Sequence, residues 1–207
     1  MDKETYQSLI SNKIWNLELG TSLSRAALAD LKRSLGRGIE NVPDLWKFIY
    51  DEYTLDKWQE KSSNSSQIEN SLVDVLSLYS LHTRNNISPH DSSYDATFPK
   101  FLKSMRANSA NQDSFDNKVG RLLSSTDYDH AIRAISHLIS GSKSVTTNLN
   151  YAVFGWELFL LNTSSRKTVL YSWGRNYFAK TAKPVPVKST VITATKEAVT
   201  ITSSTSN

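Results

Sequence analysis

Apolar residues along this chain recur three and four positions apart rather than two, a spacing that predicts helices and not strands. Residues 4–17 set Tyr6, Leu9, Ile10, Trp15 and Leu17 on one stripe of a first helix, which Gly20 breaks. A second opens at Ser22 or Ser24, whose side chains can accept from the free amides of a helix start. It turns Ala27, Leu28, Leu31 and Leu35 inward and stops at Gly36-Arg37-Gly38. Pro43 suits the first position of a short third helix, rich in Leu45, Trp46, Phe48 and Ile49. A polar linker reaches about Ser66, where Ser66-Gln-Ile-Glu69 has the form of a capping box. It begins a fourth helix with Leu72, Val75, Leu76 and Tyr79 inside. Beyond a loop over 85–93, helices are predicted over 98–107, 113–124 and 128–139. Residues 150–161 are apolar enough to be buried, and Ser164 or Ser165 caps a last helix ending near Phe178.

The expected fold is all-α: about eight helices in two small bundles, 1–95 and 96–180, then a Ser/Thr-rich tail over 181–207. The tail's composition predicts disorder, and truncation after Lys183 should leave the fold intact.

Composition narrows the classes. The 207 residues include no cysteine, so disulfide frameworks and thiolate metal sites are excluded and a reducing compartment fits. The charged start at Met1-Asp-Lys-Glu carries no signal-peptide core, and no apolar run is long enough to span a bilayer. The expected location is the cytoplasm. Net charge is +4, but residues 179–207 supply +3 of it, leaving the body almost neutral. Polyanion binding must therefore be argued from where the charges sit.

They are segregated. Residues 22–38 carry Arg25, Lys32, Arg33 and Arg37 against Asp30. Residues 98–121 carry Lys100, Lys103, Arg106, Lys118 and Arg121 against Asp113 and Asp116. Residues 164–178 carry Arg166, Lys167 and Arg175 with no acid, while 40–60 hold six acids and two lysines. At about 100° per residue, Lys100, Lys103 and Arg106 share a third of the helix circumference beside an apolar face. Arg25 and Lys32 share a face with Arg33 next to it. Such stripes suit a phosphate backbone, where several cations release counterions together. The plainer reading is a solvated helix surface, since these side chains face water in any case.

No catalytic signature stands out. His82, His90, His130 and His137 lack zinc-site spacing; His130 and His137, seven apart near Asp127 and Asp129, are the one conceivable pair. No metal and no cofactor is expected. The histidines read as surface or half-buried helix residues. Gly120, Gly155 and Gly174, inside helices, read as close-packing positions. Trp15, Trp46, Trp156 and Trp173 read as core, and Trp58, in the polar linker, as an exposed ring.

Four blocks nonetheless resemble one family. Residues 20–36 read Gly-Thr-Ser-Leu-Ser-Arg-Ala-Ala-Leu-Ala-Asp-Leu-Lys-Arg-Ser-Leu-Gly and are followed by Val-Pro-Asp-Leu-Trp at 42–46. Leu-Ser-Leu-Tyr-Ser-Leu-His follows at 76–82, Arg-Leu-Leu-Ser-Ser-Thr-Asp-Tyr-Asp at 121–129, and Trp-Gly-Arg-Asn-Tyr-Phe at 173–178. Together they resemble the CasB family, the small subunits of type I-E CRISPR Cascade complexes. The resemblance spans about residues 6–178 and excludes the tail and part of the linker over 51–70. It implies a non-catalytic protein used as two copies along the guide RNA, beside the backbone and large subunits. It also implies sequence-tolerant contact with target DNA and the displaced single strand, which stabilises the R-loop. Lys32, Arg33, Arg166 and Lys167 are the positions it implies face nucleic acid. Two other classes stay open: a helix-turn-helix regulator using the Gly36-Arg37-Gly38 turn, though the segment after it is acidic and aromatic, and an enzyme built on His130 and His137.

Overall fold

Side-chain caps set where most helices begin. In the computed structural model, which describes residues 1–57, 65–83, 87–142 and 147–179, six of the ten described α-helices open on an oxygen that accepts from their first turn. Asp2 caps α1 (Lys3–Glu18), Thr21 caps α2 (Ser22–Ser34), and Asn111 caps α7 (Gln112–Leu123). Asp127 caps α8 (Tyr128–Gly141) and Asn150 caps α9 (Tyr151–Leu161). Each satisfies amides that have no partner within the helix. Ser165 occupies the cap position of α10 (Arg166–Phe178) without making such a bond. Pro99 sits in the first turn of α6 (Phe98–Ala107), where a missing amide hydrogen costs nothing.

Two stretches depart from the sequence reading. The expected third helix resolves into 3-10 turns at Ile39–Asn41 and Pro43–Leu45 and a single α-turn, α3 (Trp46–Ile49). The expected linker contains α4 (Glu52–Lys57), because Asp51 Oδ1 takes both the backbone N–H and the hydroxyl of Thr54 at 2.9 and 2.8 Å. The next helix, α5 (Ser65–His82), starts one residue before Ser66, so Ser66 lies inside its first turn rather than capping it. Trp58 and the tail over 181–207 lie outside the described residues.

The described residues form ten α-helices and no strand; one isolated bridge joins His90 to Leu149. α5 is the axis. Every residue from 71 to 80 is buried, with α1, α2, α8 and α9 packed against it. Its serines survive there by bonding their own helix: Ser77 donates to Val73 O at 2.7 Å and Ser80 to Ser77 O at 2.8 Å. One contiguous core runs from Tyr6 to Tyr177. α9 crosses α1 closely at Gly155, where a methyl group would sit 2.3 Å from Ile10 Cδ1. Gly174 likewise faces Leu123, at 3.2 Å, but a methyl group at Gly120 would meet nothing. Phe98 stacks on Phe154 with centroids 4.6 Å apart and meets Trp173 at the same distance, joining α6, α9 and α10.

The inner stripe of α1 differs from the expected one. It runs Tyr6, Leu9, Ile10, Lys13, Ile14, Leu17, and Trp15 points outward at 63% exposure. Lys13 is 0% exposed. Its ammonium donates to Phe48 O at 2.6 Å and pairs with Asp51 at 2.7 Å, so the charge enters the interior compensated. Of the four tryptophans read as core, Trp173 is fully buried and Trp156 half-buried. Trp46 is exposed but donates its indole N–H to Ile39 O at 3.0 Å. No described helix is long and apolar enough to cross a membrane.

Candidate nucleic-acid interface

The cations sort into two kinds by what they touch. Those of α6 are engaged. Lys100 pairs with Asp95 at 2.7 Å, across a helix start. Lys103 donates to the carbonyl of Ala179 at 2.9 Å, closing the end of α10. Arg106 holds Asp116 at 2.8 Å and Gln112 at 2.7 Å. Asp116 also accepts the Tyr177 hydroxyl at 2.6 Å, so this pair ties α6, α7 and α10 together. The arginine and tyrosine hydrogen bonds hold the Asp116 carboxyl below its usual range.

On α2 the picture differs. Arg25, Lys32 and Arg33 are exposed, and Lys32 and Arg33 sit in the last turn, where the helix dipole favours positive charge. Arg33 pairs with Asp30 one turn back, while Arg25 and Lys32 make no ion pair among the described residues. Arg37 follows, exposed, in the turn between Gly36 (φ +70°) and Gly38 (φ +73°). Positive φ at both places is what glycine tolerates and other residues rarely do. The turn is fixed from beneath: Gly36 N–H donates to Asp74 Oδ1 at 2.9 Å, and Asp74 Oδ2 accepts the Tyr128 hydroxyl at 3.0 Å. Asp74 is nearly fully buried, and burial pushes its carboxyl up to about 6. The α2 terminus and the first turn of α8 thus share one buried acceptor.

The third group lies on α10 and at the end of α7. Arg166, Lys167 and Arg175 make no ion pair among the described residues. They rim a groove of about 790 Å³ between α10 and the turn that follows α7. Leu123 and Leu170 line its apolar floor, and Tyr171 and Phe178 stand exposed along it. No carboxylate among the described residues lines it. Lys118 and Arg121 are exposed on α7 outside this groove; Lys118 lines a smaller one with His137. The structure therefore brings Arg166, Lys167 and Arg175 together on one concavity and leaves the α2 cations as a separate patch. Tyr171 is the residue that sequence reasoning overlooked. Its signal was present in the spacing Lys167, Tyr171, Arg175, which repeats every four residues.

The histidines do not converge. His130 contacts Asp127 one turn away, His137 is exposed, and no group of three metal-ligating side chains occurs among the described residues. His82 is neither surface nor half-buried. It shares a 2.8 Å hydrogen bond with the Tyr151 hydroxyl and packs edge-on against Phe101. The helix-turn-helix alternative lacks its reading element, since the Gly36-Arg37-Gly38 turn leads into 3-10 turns and a four-residue helix.

Comparison with known proteins bears on the family and the fold. The family model for the CRISPR-associated protein Cse2 matches residues 27–178. The crystal structure of CasB from Thermobifida fusca superposes with a TM-score of 0.69 at 17% identity, covering 84% of this chain and 98% of that one. No curated protein matches the sequence. The family match takes in α2 through α10 and three of the four sequence blocks entire, and the chain belongs to the CRISPR-associated Cse2 (CasB) family, the small subunits of type I-E Cascade.

Proposed function

We propose that this chain is a non-catalytic, cytoplasmic subunit that holds nucleic acid open within an RNA-guided surveillance complex. It binds target DNA and the displaced single strand near the guide RNA, beside the backbone and large subunits and a second copy of itself. Its basic helical surfaces contact the sugar-phosphate backbone, which carries no sequence code. The observation that carries this reading is the acid-free rim formed by Arg166, Lys167 and Arg175, unpaired among the described residues. The exposed α2 patch of Arg25, Lys32, Arg33 and Arg37 supports it from a separate surface. Lys118 and Arg121 extend the basic surface on α7. Lys100, Lys103 and Arg106 contribute less, because Lys100 and Arg106 pair with carboxylates and the Lys103 ammonium is held by the Ala179 carbonyl.

R-loop opening is nearly balanced in free energy, so a few backbone contacts can shift it. The test is charge reversal in the assembled complex, Lys32→Glu with Arg33→Glu and, separately, Arg166→Glu with Lys167→Glu. Each pair should shorten the R-loop lifetime while the melting temperature of the subunit stays within a few degrees of wild type. Unchanged lifetimes for both pairs would refute the proposal.

A further inference from the structure

We propose that the α10 groove seats an unpaired nucleotide strand, with one base stacked on the ring of Tyr171 and the flanking phosphates held by Lys167 and Arg175. This rests on the nucleic-acid reading above and names the ligand class of that site.

Two adjacent ridges of α10 carry the argument. The outer one runs Lys167, Tyr171, Arg175, all exposed and four residues apart, so each turns about 40° from the last and the three form one continuous ridge. At 1.5 Å per residue the steps are about 6 Å, and the two cations stand about 12 Å apart with an aromatic ring midway. Both cations have long side chains that can reach back toward the ring, so they can hold the phosphates on either side of a base that lies on it. The inner ridge runs Arg166, Leu170, Gly174, Phe178. Its floor is low because position 174 has no side chain and Leu123 closes directly against it. The Tyr171 ring is 74% exposed, so its face is available.

A base can lie on that ring only if its own faces are free, which a duplex does not allow. Every base has such a face, so the seat tolerates any sequence and fits a strand whose identity is read by pairing elsewhere. An acidic peptide would satisfy the cations but would not use a single ring set between them.

The experiment uses the full chain and two fluorescent ligands of equal length and charge: a short oligodeoxythymidine and its abasic sugar-phosphate counterpart. Wild type should bind the thymidine ligand at least about fivefold more tightly than the abasic one at the same salt. Tyr171→Ala should erase that preference while leaving the salt dependence unchanged. Tyr171→Trp should keep it, with indole fluorescence quenched by the thymidine ligand and not by the abasic one. Equal binding of the two ligands by wild type, or a preference that survives Tyr171→Ala, overturns the seat. If Tyr171→Ala is inert while Arg166→Glu with Lys167→Glu abolishes binding, the seat fails and the backbone-binding reading stands. If no oligonucleotide binds and Tyr171→Ala instead abolishes concentration-dependent dimerisation, the groove is a protein interface and both readings of it fall.

Discussion

Replacing Asp74 by asparagine should make the protein more stable at neutral pH, despite removing a buried carboxylate with two hydrogen-bond partners. Asp74 lies on α5 at the centre of the molecule, accepting from Gly36 N–H and from the Tyr128 hydroxyl. Burial raises its pKa from 3.8 to about 6. A raised carboxylate pKa means that the folded state binds the proton more tightly than the unfolded chain. Its stability contribution is complete below pH 3.8 and is lost as pH rises through 6. At 1.36 kcal/mol per unit, the ionised form costs about 3 kcal/mol at pH 7.5 relative to a permanently neutral group. Asparagine is isosteric and neutral. Its carbonyl can accept from Gly36 and its amide can donate to Tyr128, so neither partner is left unpaired. We expect a gain of about 1–3 kcal/mol at pH 7.5 and no gain at pH 3.5. Urea unfolding from pH 3.5 to 8 reads both numbers, and the difference between the two curves should bend between pH 4 and 6. Asp74→Ala, which leaves both donors buried without an acceptor, should be destabilised throughout. A variant Asp74→Asn that is less stable at pH 7.5, or that keeps the wild-type slope between pH 4 and 6, would show that the two hydrogen bonds outweigh the burial cost.

Other expectations follow from single contacts. Lys13→Met should cost about 3 kcal/mol, since it strands Asp51 and releases the α3–α4 segment from α1; Asp51→Asn in the same chain should recover part of it by denaturant unfolding. Glu157 accepts the Trp173 indole N–H at 3.0 Å, and burial raises its carboxyl to about 7. Tryptophan emission should therefore titrate near pH 7, and Glu157→Gln should abolish that transition and the stability lost as pH rises through it. Gly155→Ala should lower the melting temperature, because overpacking against Ile10 costs about 1–3 kcal/mol, whereas Gly174→Ala meets only the movable end of Leu123 and should be close to neutral.

The helical course of the chain was legible because its signals are local: apolar spacing, and glycine or proline near helix ends; the caps were read less well, since Thr21 rather than Ser22 or Ser24 caps α2 and Ser165 makes no capping bond. What was not legible depends on partners far along the chain. Trp15 looked like core by residue type, but the buried stripe passes through Lys13 instead, and only the approach of Asp51 and Phe48 O makes a lysine acceptable there. α5 read with Leu72, Val75, Leu76 and Tyr79 inside, yet it is buried all round, with Ser77, Ser80 and Asp74 satisfied by its own backbone or by Gly36 and Tyr128. For the cations, helix periodicity grouped Lys100, Lys103 and Arg106 on one stripe and Arg25, Lys32 and Arg33 on another. It could not show that Arg106 spends its charge on Asp116, or that Lys103 closes the end of α10.

On the proposed function, that partition accounts for how a nearly neutral body serves a polyanion. Affinity for a backbone follows the number of phosphates neutralised, not net charge, and each single-strand contact adds about 0.7 to the slope of log affinity against log salt. Three cations around the α10 groove correspond to a slope of about −2, which gives weak binding that physiological salt largely suppresses. The proposed role requires that weakness. A subunit that gripped any strand tightly would hold non-target DNA as readily as target, whereas one whose contacts matter only when pairing has already opened the duplex adds stability without overriding the guide. Reversing Arg175 alone should therefore flatten the slope measured on the full chain by about 0.7 or more, while reversing Arg106, whose charge Asp116 already offsets, should change it less and instead lower the melting temperature. Equal changes in slope from the two substitutions would mean that pairing within the chain does not decide which cations are available to the ligand.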